Sequence, residues 1–238
     1  MPTLIAIETS SEIASVALLL ETKARGIQIL QRQTGGVMNH SQAILPMVQS
    51  LLNEAGITLG QCDAIAFGSG PGSFTGVRTA CGVVQGLAFG ADLPVIPVVT
   101  LLALAEAQRS ATGTKNVLTA LDARMSEVYW AHYVYDEQAA LWRTLIAPTL
   151  SSPATVAPSN VDNLTLAGNG FGAYRDQFTL PLPLIAAAVN ILPQAEAIAR
   201  IALIEFAAGR VYPASAAQPL YLRNKIALTS AERAALST

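Results

Sequence analysis

The sequence predicts an α/β protein of two lobes, and three observations lead to this class. The chain has 238 residues, which is enough for one large domain or two modest ones. Three strand-like segments open the chain, and helix and strand patterns then alternate, in the order βββαβα. A second, smaller group of strand-like segments begins near Lys115. We therefore assign residues 1–108 to a first lobe and residues 109–228 to a second, degenerate one.

The first lobe consists of short apolar or alternating segments separated by polar turns. A helix that opens at 39–42 has apolar residues at i, i+3, i+4 and i+7 and ends before Gly56. A second helix covers 75–89 and is rich in small residues, and a third begins at Thr100. The strands are predicted at 4–7, 13–20, 26–33, 62–67 and 93–99.

A glycine-rich segment from Gly68 to Arg78 joins a strand to the second helix. Pro71 between two glycines favours a tight turn, and Ser73 or Thr75 can cap the helix that follows. Free amide groups at a helix start attract an anion, so the segment fits a phosphate site. No lysine follows the glycines, which argues against a Walker loop. A tight turn that lets the helix pack closely on the sheet explains the segment equally well.

The second lobe is predicted to contain four strands and one long helix. The helix runs from Pro193, at its first position, to Ala208, and Gly209 follows its end. Residues 219–223 are expected to be extended, and 229–238 to form a short helix that completes the first lobe. The strands are predicted at 117–121, 127–135, 141–147 and 164–167.

Composition and charge argue against several classes of protein. Only 13% of the residues are charged and the formal net charge is −2, without a basic run, which disfavours direct nucleic-acid binding. No apolar stretch reaches the roughly 18 residues of a membrane span, and the first residues resemble a strand rather than a signal peptide. Cys62 and Cys81 are too few for a disulfide framework or a zinc site. We expect a cytoplasmic protein with no membrane contact.

Five segments together resemble the TsaB (YeaZ) family. They are ETS at 8–10, HSQAILP at 40–46, GPGSFTGVR at 70–78, DARMSEVY at 122–129 and PLYLR at 219–223. They occur in the family's order, and the resemblance extends over almost the whole chain. The resemblance implies the two-lobed fold of the actin-like and Hsp70-like ATPases, in which each lobe is built on a ribonuclease-H-like sheet.

The resemblance also implies a function. Members of this family are non-catalytic partners of TsaD, which places the threonylcarbamoyl group on N6 of adenosine 37 in tRNAs that read ANN codons. TsaE, a P-loop ATPase, joins the same assembly. The histidine pair that binds the metal in TsaD falls here at Thr100 and Leu104, which cannot bind a metal. The resemblance therefore implies no catalytic residue, no metal and no cofactor.

An ATP-binding or ATP-hydrolysing enzyme of the same superfamily is the alternative. Glu8 and Asp122 stand where such an enzyme holds a magnesium-bound phosphate from its two lobes. The turn after Glu8 has no glycine, Glu12 adds negative charge, and Met125 is bulky, so we expect a relic cleft. Its vestigial nucleotide or phosphate contacts are predicted to be Glu8, Thr9, Gly72, Ser73, Arg78, Asp122 and Gly168. Three interpretations of Arg78 stay open, namely contact with such a phosphate, with a partner carboxylate, or only with its own sheet.

The chain has only two histidines, which leaves little material for a hydrolase triad. His40 stands at the start of a predicted helix, and we interpret it as a polar cap or contact residue. His132 lies in an alternating strand, and we expect its side chain to face outward. Neither histidine is predicted to be catalytic.

The helices 40–55 and 75–89 are expected to bind a partner. Several glycines in the second helix imply close packing on more than one side, because glycine destabilises a helix. The resemblance implies a heterodimer with TsaD through these helices, a homodimer when TsaD is absent, and contact with tRNA only through the complex. In the other interpretation, both helices only cover the sheet and bind no partner. The predicted interface residues are His40, Ile44, Leu45, Val48, Val77, Cys81, Val84, Gln85 and Ala88.

Overall fold

The first lobe is centred on a five-stranded mixed sheet. A computed structural model describes residues 1–22, 26–35 and 40–223 of the chain. The strand order is β3-β2-β1-β4-β5, with β1 to β3 antiparallel and β1, β4 and β5 parallel. The strands are β1 (Thr3–Glu8), β2 (Ile13–Thr22), β3 (Gly26–Gly35), β4 (Ala64–Gly70) and β5 (Val95–Val99).

Helices cover both faces of this sheet, which explains why its central strands are almost entirely apolar. Side chains of a strand alternate between faces, so Ile5 and Ile7 pack under α1 (His40–Ala55) and α2 (Phe74–Ala91). Leu4 and Ala6 point to the opposite face, where α6 (Ala195–Ala207) covers them. The βββαβα order predicted for the first lobe is confirmed.

The position of α6 corrects the sequence interpretation, which placed its residues in the second lobe. Ile198, Ala199 and Ala202 pack with the first sheet, not the second. The apolar stripe of a helix predicts that it is covered, but the stripe contains no information about which sheet covers it. The helix also begins two residues later than predicted. Gln194 is its N-cap, so Pro193 precedes the helix.

The second lobe repeats the connectivity of the first four strands. Its sheet has the order β8-β7-β6-β9, with β6 and β9 parallel and the other pairs antiparallel. This matches β3-β2-β1-β4, but the connection from β8 to β9 contains only a short 3₁₀ turn where α1 stands in the first lobe. The strands are β6 (Asn116–Asp122), β7 (Val128–Asp136), β8 (Leu141–Ser151) and β9 (Leu164–Ala167).

Helix α3 (Thr100–Thr112) joins the two lobes. Leu101 and Leu104 are buried against Val117 and Tyr133 of the second sheet, and α3 also packs on α6. The opposite face of the second sheet lies under two short helices, α4 (Gly170–Ala173) and α5 (Leu182–Ala186). The lobes are thus connected by a continuous apolar core.

Residues 219–223 form an extended segment that contacts both lobes, and we call it the C-terminal strap. The Leu220 amide donates to the Ser69 carbonyl of the first lobe, 2.7 Å away. The Arg223 guanidinium donates to the Ala123 carbonyl of the second lobe at 3.0 Å. The helix predicted at 229–238 lies outside the described residues. Among the helices that the structure describes, none is long and apolar enough to cross a membrane.

Candidate functional site: the interlobe cleft and the outer face of helix α2

A cleft of about 570 Å³ lies between the two lobes. Its walls are the turn after β1, the start of α2, the turn between β6 and β7, and the C-terminal strap. This is the place where the sequence analysis put a vestigial nucleotide site. Asp122, Gly72 and Ser73 line the cleft.

The glycine-rich segment uses its amide groups within the fold. The Ser73 amide donates to the Ser10 carbonyl at 2.7 Å, and the Gly76 amide donates to Ser73 Oγ at 3.3 Å. Ser73 is therefore the N-cap of α2, as predicted. A Cβ at position 76 would lie 1.9 Å from the Thr9 carbonyl oxygen, so only glycine allows this close approach. These contacts support a tight packing turn, because two donors of a phosphate cradle are already occupied.

Glu8 lies beneath the cleft rather than in its wall. Its carboxyl group is completely buried, and one oxygen accepts the Ser10 amide. The other oxygen, Oε2, has no hydrogen-bond partner among the described residues, and a Cβ at position 68 would lie 1.9 Å from it. Burial raises the pKa of Glu8. A carboxyl group in this position cannot reach a metal-bound phosphate in the cleft unless the turn after β1 rearranges.

Asp122 lines the cleft, but its carboxylate is engaged. Oδ1 accepts the Tyr174 hydroxyl at 2.8 Å and the Arg124 amide at 2.7 Å, and Oδ2 lies 3.0 Å from the Arg124 guanidinium. Gly168 faces β6, because a Cβ there would lie 2.1 Å from the Ala120 carbonyl oxygen. The cleft therefore contains no pair of free carboxylates from the two lobes among the acidic residues predicted for it.

The turn after β6 has an unusual backbone that the sequence does not signal. Arg124, Met125 and Ser126 all have a positive backbone φ, between 57° and 62°. Residues other than glycine rarely adopt this conformation. Arg223 of the C-terminal strap holds this turn through the Ala123 carbonyl and an ion pair with Glu127. This role of Arg223 was not predicted, because no local sequence pattern indicates it.

Arg78 lies on the exposed side of α2, outside the cleft wall. Its guanidinium carbon is 3.7 Å from the centre of the Phe74 ring, and its Nε–H donates to the Tyr221 hydroxyl at 2.6 Å. The three side chains form a cluster that we call the Arg78 cluster. Phe74 and Tyr221 line the cleft, whereas Arg78 itself does not, so the phosphate contact predicted for Arg78 stays a prediction.

Most of the predicted interface residues lie in the core of the first lobe. Leu45 and Gln85 are exposed, and the Gln85 side chain donates to the Ala217 carbonyl at 3.0 Å. The predicted residues belong to the broadest apolar stripe of each helix, and this stripe faces the sheet. The buried members are His40, Ile44, Val48, Val77, Cys81, Val84 and Ala88.

The outer face of α2 is bare and consists of small residues. Gly82, Gly86 and Gly90 recur every four residues on one side of the helix, and nothing lies within 4 Å of a Cβ built at any of them. Phe89 beside them is 85% exposed. We call these four residues the glycine face of α2. Its glycines serve no packing contact within the described part of the chain.

His132 corrects a further expectation, because its side chain is completely buried rather than outward-facing. Its Nε2 lies 2.6 Å from Asn116 Oδ1, and its Nδ1 accepts the Ser159 amide at 3.2 Å. Burial lowers the pKa of His132. The alternation in β7 resembles that of a half-exposed strand, but both faces of the strand are covered here.

The two-lobed architecture, with a second sheet that repeats four strands of the first, defines a ribonuclease-H-like, actin-like protein. The model of the family "TsaD: tRNA N6-adenosine threonylcarbamoyltransferase" matches residues 19–235. The chain is 39% identical to the tRNA threonylcarbamoyladenosine biosynthesis protein TsaB of Haemophilus influenzae, over 94% of each chain. It is 38% identical to the same protein of Escherichia coli, over 94% of this chain and 96% of the relative.

A solved structure of YeaZ from Pseudomonas aeruginosa is similar to this fold throughout. It is 40% identical, has a TM-score of 0.83, and the match covers 93% of this chain and all of that one. A second structure, described as an uncharacterized protein with similarity to peptidase YEAZ from the same organism, is 39% identical with a TM-score of 0.85. The chain belongs to the TsaB (YeaZ) family.

Proposed function

We propose that this chain is a non-catalytic subunit of the machinery that makes N6-threonylcarbamoyladenosine in tRNA. In this proposal it binds and supports the catalytic TsaD subunit together with TsaE, contacts tRNA only through the complex, forms a homodimer when alone, and acts in the cytoplasm. Its membership of the TsaB family supports the pathway. The observation that carries the binding role is the glycine face of α2.

The residues at the catalytic positions support a non-catalytic role. The metal-binding histidine pair of TsaD falls at Thr100 and Leu104. Thr100 Oγ1 accepts the Gly70 amide at 3.2 Å, and Leu104 is buried in the core that joins the lobes. In the described ranges, no three His, Cys, Asp or Glu side chains converge as metal ligands. The side chains at these two positions therefore maintain the fold.

The contacts of Glu8 and Asp122 also disfavour the alternative, an ATP-hydrolysing enzyme. One carboxyl group is buried beneath the cleft and the other pairs with Arg124 and Tyr174. Magnesium-dependent ATP turnover by the purified chain, abolished by Asp122→Ala, would contradict the proposal.

The glycine face supports the binding role through an energetic argument. A glycine inside a helix destabilises it by about 1 kcal/mol relative to alanine. Gly76 is explained by its approach to the Thr9 carbonyl, but Gly82, Gly86 and Gly90 have open space before them. A second helix lying on this face gives these glycines a function, because small residues let two backbones approach closely. Leu45 of helix α1, which packs beside α2, is an exposed apolar residue at 50%.

The proposal is tested by placing a charge on the glycine face. Gly86→Glu should abolish binding of the full chain to TsaD from the same organism, because the side chain would enter the helix–helix contact. The matched control is Ala111→Glu on the exposed side of α3, which should bind like the natural sequence. The measurements are calorimetric titration with TsaD, and gel filtration of the chain alone.

The two variants also separate binding from folding. Position 86 is open, so both proteins should show a normal circular dichroism spectrum and cooperative unfolding. Gel filtration should show a dimer for the natural sequence and a monomer for Gly86→Glu. Unchanged affinity of Gly86→Glu for TsaD would overturn the proposed interface.

A further inference from the structure

The Arg78 cluster presents a cation whose position is already fixed. Phe74 stacks against the guanidinium at 3.7 Å, and Tyr221 accepts only its Nε–H. The two terminal NH₂ groups of Arg78 have no acceptor in the part of the chain that the structure describes. Arg78 has no carboxylate partner among residues 1–22, 26–35 and 40–223, whereas the nearby Arg124 and Arg223 pair with Asp122 and Glu127.

The cluster is continuous with the glycine face of α2. Arg78 precedes Gly82 by four residues, just as Gly82 precedes Gly86, so all three lie on the same side of the helix. Phe74, one further turn towards the helix start, is 38% exposed, and Tyr221 is 48% exposed. A protein that lies along the glycine face therefore meets the Arg78 guanidinium at the end of the contact.

We propose that Arg78 docks a carboxylate side chain of the partner protein that covers the glycine face. The inference rests on the proposed function and adds the chemistry of one contact to it. An arginine fork matches the two oxygens of a carboxylate and binds them bidentately. The contacts with Phe74 and Tyr221 fix the guanidinium in advance, which reduces the side-chain entropy lost on binding.

A protein carboxylate fits this site better than a nucleic-acid phosphate. Phosphate backbones are bound by clusters of cations, and affinity grows with the number of phosphates neutralised. The chain has a formal net charge of −2, and Arg124 and Arg223, the arginines in the wall of the cleft, are already paired with carboxylates. A single arginine flanked by exposed aromatic rings is typical of the anchor residues of protein–protein interfaces.

The test compares four variants of the full chain in calorimetric titrations with TsaD at low and high salt. Arg78→Gln should weaken binding at least ~30-fold, as expected when one member of an interfacial charge pair is removed. The affinity of Arg78→Lys for TsaD should lie between those of the natural sequence and Arg78→Gln, because lysine keeps the charge but cannot bind a carboxylate bidentately. Tyr221→Phe should have a small effect, and Arg124→Gln should stay within about 3-fold, since surface pairs contribute little. The affinity of the natural sequence should depend on salt more steeply than that of Arg78→Gln.

Each remaining outcome overturns this inference or the proposed function separately. If the natural chain does not bind TsaD at all, the proposed function fails. If it binds and Arg78→Gln binds equally well, only the carboxylate contact fails. If Tyr221→Phe reproduces the full loss, Arg78 acts only by holding the C-terminal strap. If Arg78→Gln leaves TsaD binding unchanged but weakens binding of tRNA or ATP, the acceptor is a phosphate.

Discussion

His132 is held as a neutral imidazole deep in the second lobe. Because the Ser159 amide donates to Nδ1, that nitrogen carries no proton, and Nε2–H donates to Asn116 Oδ1. The Asn116 amide is oriented in turn by its own bond to the Asp162 carbonyl, 2.9 Å away. A second proton would have to bind Nδ1, where it would point at the Ser159 amide, which is itself a donor. This arrangement and the burial of the ring both favour the neutral form.

We predict a loss of stability in mild acid that depends on His132. Its pKa is lowered in the folded state, so the unfolded chain, with a histidine pKa of about 6.5, binds the proton first as pH falls. The free energy of unfolding should therefore be unaffected by this group above about pH 7 and decrease below pH 6.5. Urea unfolding at pH 7.5, 6.5 and 5.5 measures this decrease.

His132→Gln should reduce the acid-dependent decrease, because glutamine cannot take up the proton. His40→Gln removes the only other histidine and serves as the control, which should keep most of the natural pH dependence. An unchanged pH dependence in His132→Gln would contradict the assignment.

At the scale of single residues, the sequence identified important side chains but not their directions. Glu8 ends β1, where a related ATPase would bind a metal, and the structure turns its carboxyl group into the protein. The missing information is non-local: the carboxyl group fills space that Gly68, sixty residues away, leaves open. The sequence pattern of β1 cannot show which residue of a neighbouring strand lacks a side chain and so leaves room for the carboxyl group.

At the scale of elements, α2 has two faces with opposite uses of glycine. Gly76 faces the turn after β1, where backbone comes too close for any side chain. Gly82, Gly86 and Gly90 are exposed instead, and a Cβ built at any of them meets no atom within 4 Å in the described structure. The same residue type therefore serves intramolecular packing in the first turn and an open surface in the later turns.

We predict opposite effects of alanine on the two faces. Gly82→Ala and Gly86→Ala should each stabilise the chain by about 0.5–1 kcal/mol, because alanine is the better helix former and its Cβ meets open space. Gly76→Ala should destabilise it, because the Cβ would lie 1.9 Å from the Thr9 carbonyl oxygen. Urea unfolding measures Gly82→Ala and Gly76→Ala in the Gly86→Glu background, which we predict to be monomeric, so that dimer dissociation does not contribute. Gly86→Ala is compared with the natural sequence at a protein concentration at which gel filtration shows both as monomers. A stabilising Gly76→Ala would contradict this account.

The element boundaries were largely predictable, whereas the faces of the helices were not. Period-two and period-3.6 patterns place most strands and helices within a few residues of their observed positions. The apolar stripe that meets the sheet and the surface that meets a partner are both poor in charge. The burial of Val84 and Ile44, which a sequence pattern cannot distinguish from interface positions, shows this limit. The left-handed turn at 124–126 was likewise hidden, because tertiary contacts with Arg223 impose it.

At the scale of the whole molecule, the first lobe is completed by residues far along the chain. Helix α6 covers Leu4, Ala6, Leu19 and Ile96 on one face of the first sheet. The sequence predicted that residues 1–108 form the first lobe, completed by a helix at 229–238, and it assigned the residues of α6 to the second lobe. Apolar strands of this kind are stable only when both faces are covered.

We predict that residues 1–114 do not fold alone. The fragment should aggregate or lack cooperative unfolding, because the face beneath α6 is exposed to water. The same fragment joined by a flexible linker to residues 192–218 should be recovered in soluble form. Solubility after expression and thermal unfolding followed by circular dichroism measure both. Cooperative unfolding of the unlinked fragment would show that α6 is dispensable.

The late arrival of α6 also has a consequence for biosynthesis. A ribosome adds about 5–20 residues per second, so roughly 10–40 s separate the emergence of β1 from that of α6, about 200 residues later. During this interval the nascent chain exposes an unshielded β-surface. Occupancy by a chaperone that binds apolar segments should therefore persist until α6 leaves the exit tunnel and decline afterwards.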